Sequence, residues 1–279
     1  MTWTAYKVVL RLQTPMHIGQ AKSGNLQLTR PYVHGKALWG ALTARITRDT
    51  PRFNNDYKTV GGKVKKQLAF SYFYPTTPTP GQEVTLWPWD DPERFAWQFL
   101  GSYASTALNY SQNSAEESSL HETEFIAPYT RDDQPVNLVG YIFERDDCDL
   151  PWQKALPNLQ LGGERTYGWG RVRVESRQKV EPKEKLFGLY ELDLSAAHPV
   201  VSLDKDKALL AHALAYGDRA VPATGHVVPL VGRETSSANK HGQKVIMAAV
   251  CWEPGSRIQA PSQVLIGDYG VWKKAPAGK

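Results

Sequence analysis

The chain has 279 residues, a formal net charge of +5, 41 % hydrophobic and 22 % charged residues, enough apolar material for one large domain or two small ones and too little polarity for global disorder. Its longest apolar runs, such as Ile246 to Cys251, fall far short of the roughly 20 residues of a membrane span. The N-terminal MTWTAYKVVLRLQ lacks the apolar stretch of a signal peptide, so a cytoplasmic protein without membrane contact is expected, and two cysteines, Cys148 and Cys251, exclude a disulfide framework or an all-cysteine zinc site.

Ala5 to Gln13 alternates, with Tyr6, Val8, Leu10 and Leu12 opposite Lys7 and Arg11, and predicts a half-buried strand. Residues 14–35 carry Pro15, Gly19, Gly24, Pro31 and Gly35 and read as a long loop. Leu38, Leu42 and Ile46 recur every four residues, so Lys36 to Asp49 is an amphipathic helix with Arg45 and Arg48 on its polar side. Residues 50–67 show no period and read as an exposed basic loop. Leu68 to Tyr74 is an aromatic strand ended by Pro75, Pro78 and Pro80, with Phe70, Tyr72, Phe73 and Tyr74 as core. Pro92 to Tyr110 reads as a second helix on Phe95, Phe99, Tyr103 and Ala107, followed by a polar loop over 111–122. Val136 to Glu144 is a strand, and Asp146 to Asp149 an acidic turn. Later elements are an alternating strand from Trp169 to Val174, a strand over Leu186 to Leu194, a helix over Asp204 to Tyr216, and strands over Lys244 to Trp252 and Ser262 to Ile266. Helices separated by hairpin-like strand pairs predict an α+β fold. A ferredoxin-like (RRM-like) βαββαβ domain with insertions would span residues 1–180, and a smaller, degenerate α+β domain 181–279.

The charge is unevenly spread. Up to Lys66 there are twelve bases against two acids, and from Glu83 to Asp149 fourteen acids against three bases. The first stretch suits a polyanion; the acidic middle, residues 83–149, suits a basic protein neighbour.

The segment richest in chemistry is LGGERTYGWGRV, Leu161 to Val172. Gly162, Gly163, Gly168 and Gly170 let backbone approach a phosphate, Arg165 and Arg171 supply bidentate charge, and Tyr167 and Trp169 offer stacking faces. A dinucleotide fingerprint would need a helix after the loop, whereas RVRVES is strand-like, and no Gly-Lys-Ser/Thr of a P-loop follows. The second segment pairs Pro15-Met16-His17-Ile18-Gly19 with Arg30 to Leu42, where His34, Lys36 and Arg30 flank a helix start that favours an anion. His121 with Glu122 and Glu124 lacks metal-ligand spacing and reads as a solvated loop, and no metal or cofactor is expected. His241, with Lys240 and Lys244, reads as a solvated hairpin, and Arg233 sits in a glycine-flanked stretch.

Together the P-x-H-I-G turn, the PYVHGKALWGALTAR helix entry and the LGGERTYGWGRV loop resemble the RAMP superfamily of CRISPR–Cas proteins. His34-Gly35-Lys36-Ala37 departs from the Pro-Gly-Ser-Ser/Thr of many members. The resemblance implies a non-catalytic crRNA-binding subunit of a type III-like effector complex, with crRNA, a large subunit and backbone RAMP subunits as partners. Residues 225–234 and Trp252 to Ser256 look like the C-terminal half of subunits that cap the crRNA 5′ handle. The implied RNA contacts are Gly162, Gly163, Arg165, Tyr167, Gly168, Trp169, Gly170, Arg171, Lys36, Arg45, His17 and Arg233, with the basic loop 58–66 extending the track and Lys63, Lys65 and Lys66, around Gly61-Gly62, forming a mobile thumb. Two alternatives remain within the family. A backbone subunit along the guide is one, although Gln20 to Thr29 holds no Asp or Glu for target cleavage, which leaves Asp56 in the loop after the helix as the candidate acid. A pre-crRNA processing endoribonuclease using His17 or His34 is the other.

Overall fold

The computed structural model describes residues 2–234 and 244–276. In chain order it begins with the strands β1 (Trp3–Leu12), β2 (Gly19–Ser23) and β3 (Leu26–Thr29), the helices α1 (Gly35–Asp49) and α2 (Tyr57–Gln67), then β4 (Leu68–Phe70), β5 (Tyr74–Thr76), α3 (Pro92–Phe99) and β6 (Leu100–Ser105). The short pair β7 (Leu108–Asn109) and β8 (Ser114–Ala115) precedes β9 (His121–Ile126), β10 (Asn137–Arg145), α4 (Trp152–Ala155) and β11 (Val172–Lys179). Beyond them come β12 (Glu191–Asp193), β13 (Val200–Leu203), β14 (Ala213–Leu214), β15 (Ala223–Thr224), β16 (Val227–Glu234), β17 (Lys244–Trp252), β18 (Arg257–Ile258), β19 (Ser262–Ile266) and β20 (Trp272–Lys274).

The central sheet has the order β11-β1-β10-β4, every neighbour antiparallel, with β5 also paired to β10. With α1 between β1 and β4, and α4 between β10 and β11, this is the split βαββαβ arrangement of a ferredoxin-like fold. The period of two in β1 decides what lies on each side. Val8, Leu10 and Leu12 pack with Leu38, Leu42 and Ile46 of α1. Trp3 and Ala5 point the other way and pack, with Tyr141 and Phe143 of β10, among Val201, Val264 and Trp272. Those three belong to a seven-stranded sheet ordered β12-β13-β19-β20-β14-β17-β16. The expectation of a half-buried first strand is thus corrected: both of its faces are covered. Burial of each large aliphatic side chain in these layers contributes roughly 1.5–3 kcal/mol relative to exposure.

Several expected elements differ, each for a local reason. Residues 14–35 contain the hairpin β2–β3, whose first strand is exposed throughout and so shows no apolar alternation. The basic loop of 50–67 is largely α2: Asp56 caps it by accepting the Thr59 N–H at 3.0 Å, and Val60 and Val64 bury one face. The Gly61-Gly62 pair hides that period in the sequence; Gly61 is small because Trp39 lies on it, its Nε1–H donating to the Gly61 carbonyl at 2.9 Å. The aromatic strand is split into β4 and β5, and Phe70, Tyr72, Phe73 and Tyr74 are all buried, as expected. The second helix stops at Phe99; Tyr103, 60 % exposed, lies instead on β6, which pairs with β9, an element absent from the sequence reading. Leu186 to Leu194 keeps only β12 as strand, because the chain turns at Phe187 in the left-handed region (φ 52°). Asp204 to Tyr216 is not a helix. Leu209 to Ala213 are buried without a break, and β14 within that stretch is enclosed between β17 and β20. His241 and Lys240 lie outside the described residues. Among the described residues no helix is long and apolar enough to cross a membrane.

Candidate nucleic-acid interface

The glycine-rich loop packs on the segment that follows β1. The Gly163 N–H donates to the His17 carbonyl at 2.8 Å, the Gly170 N–H to the Pro15 carbonyl at 2.7 Å, and the Leu161 N–H to the Gly170 carbonyl at 2.8 Å. The Arg171 N–H donates to Thr14 Oγ1 at 2.9 Å, and the Gly168 N–H to the Arg165 carbonyl at 3.0 Å. A Cβ on Gly162 would stand 2.3 Å from the His17 carbonyl oxygen, and one on Gly170 would stand 1.8 Å from that of Leu161. The glycines let two chain segments touch. This corrects the expected amide cradle, since the N–H groups of Gly163, Gly168 and Gly170 are already donated within the chain. The loop turns side chains outward instead. Arg165, Tyr167 and Arg171 are exposed, and among the described residues neither guanidinium meets a carboxylate.

Trp169 is half-buried and edge-to-face with Phe125 of β9 at 5.2 Å, with Tyr103 of β6 at 6.5 Å. Tyr103 and Phe125 belong to one face of the β6–β9 ribbon, since Gly101 opposes Phe125 and Tyr103 opposes Thr123. The acidic Glu122 and Glu124 alternate to the opposite face. The sequence reading missed this aromatic group because β6 was assigned to a helix and β9 to a loop.

A groove of about 670 Å³ runs along α1. Lys36, Trp39 and Arg48 of α1, Tyr57 and Lys58 at the start of α2, Gly162 and Arg165 of the glycine-rich loop, and Arg233 of β16 line it. No Asp or Glu is among its lining residues. Lys36 is fixed there: its Nζ donates to the Arg233 carbonyl at 3.0 Å and lies 4.4 Å from the centre of the Trp39 ring. Arg48 Nε donates to the Tyr57 hydroxyl at 3.3 Å. Of the residues expected at the interface, the groove gathers Lys36, Gly162, Arg165 and Arg233.

Others stand elsewhere. Arg45 makes a two-point ion pair with Asp49 one turn on and is not among the residues that line the groove, whereas Arg48 is. Arg171 is exposed outside the groove. The thumb is corrected as well: Lys63 pairs with Asp149 at 2.6 Å and Lys65 with Asp268 at 2.9 Å, which ties α2 down and leaves Lys58 at the groove. His17 is 7 % exposed, with Nδ1 2.7 Å from the Glu124 carbonyl, and it positions the glycine-rich loop through its own carbonyl rather than facing the groove. His34 caps α1, its Nδ1 accepting the Ala37 N–H at 3.2 Å. Burial, with Arg30 and Lys36 nearby, pushes its pKa down to about 3. Both imidazoles are therefore held in structural contacts. Among the described residues no group of three or more His, Cys, Asp or Glu is placed to hold a metal ion.

The model of the RAMP superfamily matches residues 9–173, more than half of the chain. Comparison with curated proteins gives no match. Among solved structures, a chain of the type III-B Cmr-beta complex bound to cognate target RNA is similar at 14 % identity and a TM-score of 0.43, over 64 % of this chain and 61 % of that one. A chain of the type III-B Cmr-beta complex bound to cognate target RNA and AMPPnP, state 1, is similar at 12 % identity and a TM-score of 0.50, over 90 % of this chain and 85 % of that one. The second likeness extends the correspondence of fold well beyond the ferredoxin-like part.

Proposed function

Because this chain belongs to the RAMP superfamily, we propose that it is a crRNA-binding subunit of a type III-like CRISPR effector complex, seated at the 5′ handle, and that it binds RNA without cleaving it. The observation that carries the reading is the groove along α1. Lys36, Arg48, Lys58, Arg165 and Arg233 converge on it from four separate parts of the chain, with no carboxylate among the lining. Like charges brought together from distant elements repel one another, and a polyanion relieves that repulsion. Phosphate contacts in the groove would fix the strand, and the exposed Tyr57 and Tyr167 would receive unpaired bases. Two further features support the handle position. Residues 225–234 and Trp252 to Ser256, the segments that resemble handle-capping subunits, meet in the fold, with the Glu253 N–H donating to the His226 carbonyl at 2.9 Å. The β2–β3 hairpin that replaces the expected loop holds no acid for target cleavage. The large subunit and the backbone RAMP subunits are its proposed neighbours.

The test is a salt titration of RNA binding. For a single strand each neutralised phosphate contributes about 0.7 to the slope of log K against log salt. An Arg165→Ala/Arg233→Ala variant is expected to bind crRNA more weakly, with a slope shallower by about 1.4. An unchanged slope and affinity would remove the groove from the mechanism.

A further inference from the structure

A second, smaller cavity of about 230 Å³ shares Lys36 with the groove. Arg30, His34, Lys36 and Tyr72 line it from the ferredoxin-like part, and Leu230 and Met247 of the β16–β17 ribbon close it. Arg30 is half-buried. Its NH1 lies 3.5 Å from the Tyr32 hydroxyl and 3.5 Å from His212 Nε2, both at the limit of a hydrogen bond. Among the described residues no carboxylate pairs with it. A guanidinium drawn partly out of water without a counter-charge is costly, and its planar fork matches two oxygens of one anion.

The surrounding groups are set as donors. His34 Nδ1 accepts the Ala37 N–H, so the neutral ring carries its hydrogen on Nε2. His212 Nε2 faces the Arg30 donor, so its hydrogen sits on Nδ1 and goes to the Tyr72 oxygen at 2.8 Å. Tyr72 itself lines the cavity beside Arg30. Burial, with Arg30 beside it, holds His212 neutral, its pKa pushed down to about 2. No acidic side chain lines the cavity. We infer that the Arg30 cavity binds one phosphate group of the RNA strand that occupies the groove, where α1 meets the β16–β17 ribbon. This rests on the RNA-binding reading above and adds a specific phosphate subsite to it.

The experiment is a binding scan on the full chain. Single-stranded RNAs carrying one neutral methylphosphonate linkage, moved along the strand, are titrated against the wild type, Arg30→Met and Arg30→Lys. A hydrogen bond to a charged group is worth about 1.5–3 kcal/mol, so Arg30→Met should bind at least roughly tenfold more weakly, with Arg30→Lys between it and the wild type. One linkage should reproduce that loss in the wild type and cause no further loss in Arg30→Met. Should Arg30→Met not fold, the same coupling is read with Arg30→Lys. Wild type that binds RNA while no linkage couples to Arg30 overturns the inference and leaves the RNA reading standing. Wild type that binds no RNA overturns that reading itself. In a parallel arm, inorganic phosphate is titrated while the melting temperature is followed. A saturable rise that Arg30→Met abolishes, without any coupled linkage, would assign the cavity to a free anion and overturn the RNA assignment.

Discussion

Replacing Gly170 by alanine separates two costs that glycine avoids. Gly170 has φ +78°, and a Cβ there would stand 1.8 Å from the Leu161 carbonyl oxygen and 2.9 Å from its carbon. Gly168 has φ +84° with nothing within 4 Å of its Cβ position. Gly168→Ala therefore meets only the left-handed backbone cost of about 1–2 kcal/mol. Gly170→Ala meets the same cost and must also push the loop away from Leu161. That breaks the Leu161 N–H to Gly170 carbonyl bond and the Gly170 N–H to Pro15 carbonyl bond, each worth about 0.5–1.5 kcal/mol. The sum for Gly170→Ala is about 2–5 kcal/mol. At about 2–4 °C per kcal/mol for a chain segment of 150–250 residues, the melting temperature should fall by about 2–8 °C for Gly168→Ala and by about 4–20 °C for Gly170→Ala. Differential scanning calorimetry on the two variants side by side reads the difference. Equal melting temperatures would refute the packing role assigned to this glycine.

Arg48→Ala should weaken RNA binding by about tenfold, whereas Arg45→Ala, whose guanidinium is spent on Asp49, should leave it within about twofold; filter binding at one salt concentration distinguishes them, and the reverse order would sink the placement of the groove. His34 and His212 ordinarily titrate near 6.5, but burial holds them neutral to about 3 and about 2. As pH falls below about 6.5 the unfolded chain takes up protons that the folded chain does not, so stability is full above that pH and is lost progressively toward pH 3. His34→Asn keeps a capping acceptor for α1 and should flatten the curve of melting temperature against pH between 6.5 and 4; a superimposable curve would refute the part assigned to His34.

The ferredoxin-like frame was readable because its signals are strong and local. The four-residue spacing of Leu38, Leu42 and Ile46 marks α1, and the alternation through Val8, Leu10 and Leu12 marks β1. The later strands Lys244–Trp252 and Ser262–Ile266 were equally plain. What failed was decided by partners far along the chain. The four-residue series from Phe95 reads as helical as far as Ala107, yet pairing with β9 draws Leu100–Ser105 into a strand. Leu209 to Ala213 have the propensity of a helix but are fully buried, and at Ala213 the chain is drawn into a strand between β17 and β20. In the site, residue types were legible and their work was not. The glycines of 162–170 marked a place of close approach, and only the geometry shows that the approaching group is the chain's own backbone. Arg30 and His212 stand 182 residues apart in sequence, so no local pattern could have joined them.

The covering of β1 on both sides has a further bearing on how this protein can handle RNA. RRM-like sheets commonly lay bases flat on an open β surface. Here α1 occupies one side of that surface and the seven-stranded sheet the other, which leaves no platform of that kind. On the proposed reading a bound strand would lie along the rim, where the loop and helix side chains of the groove project, and its bases would meet single outward rings such as Tyr57 and Tyr167 rather than a sheet face.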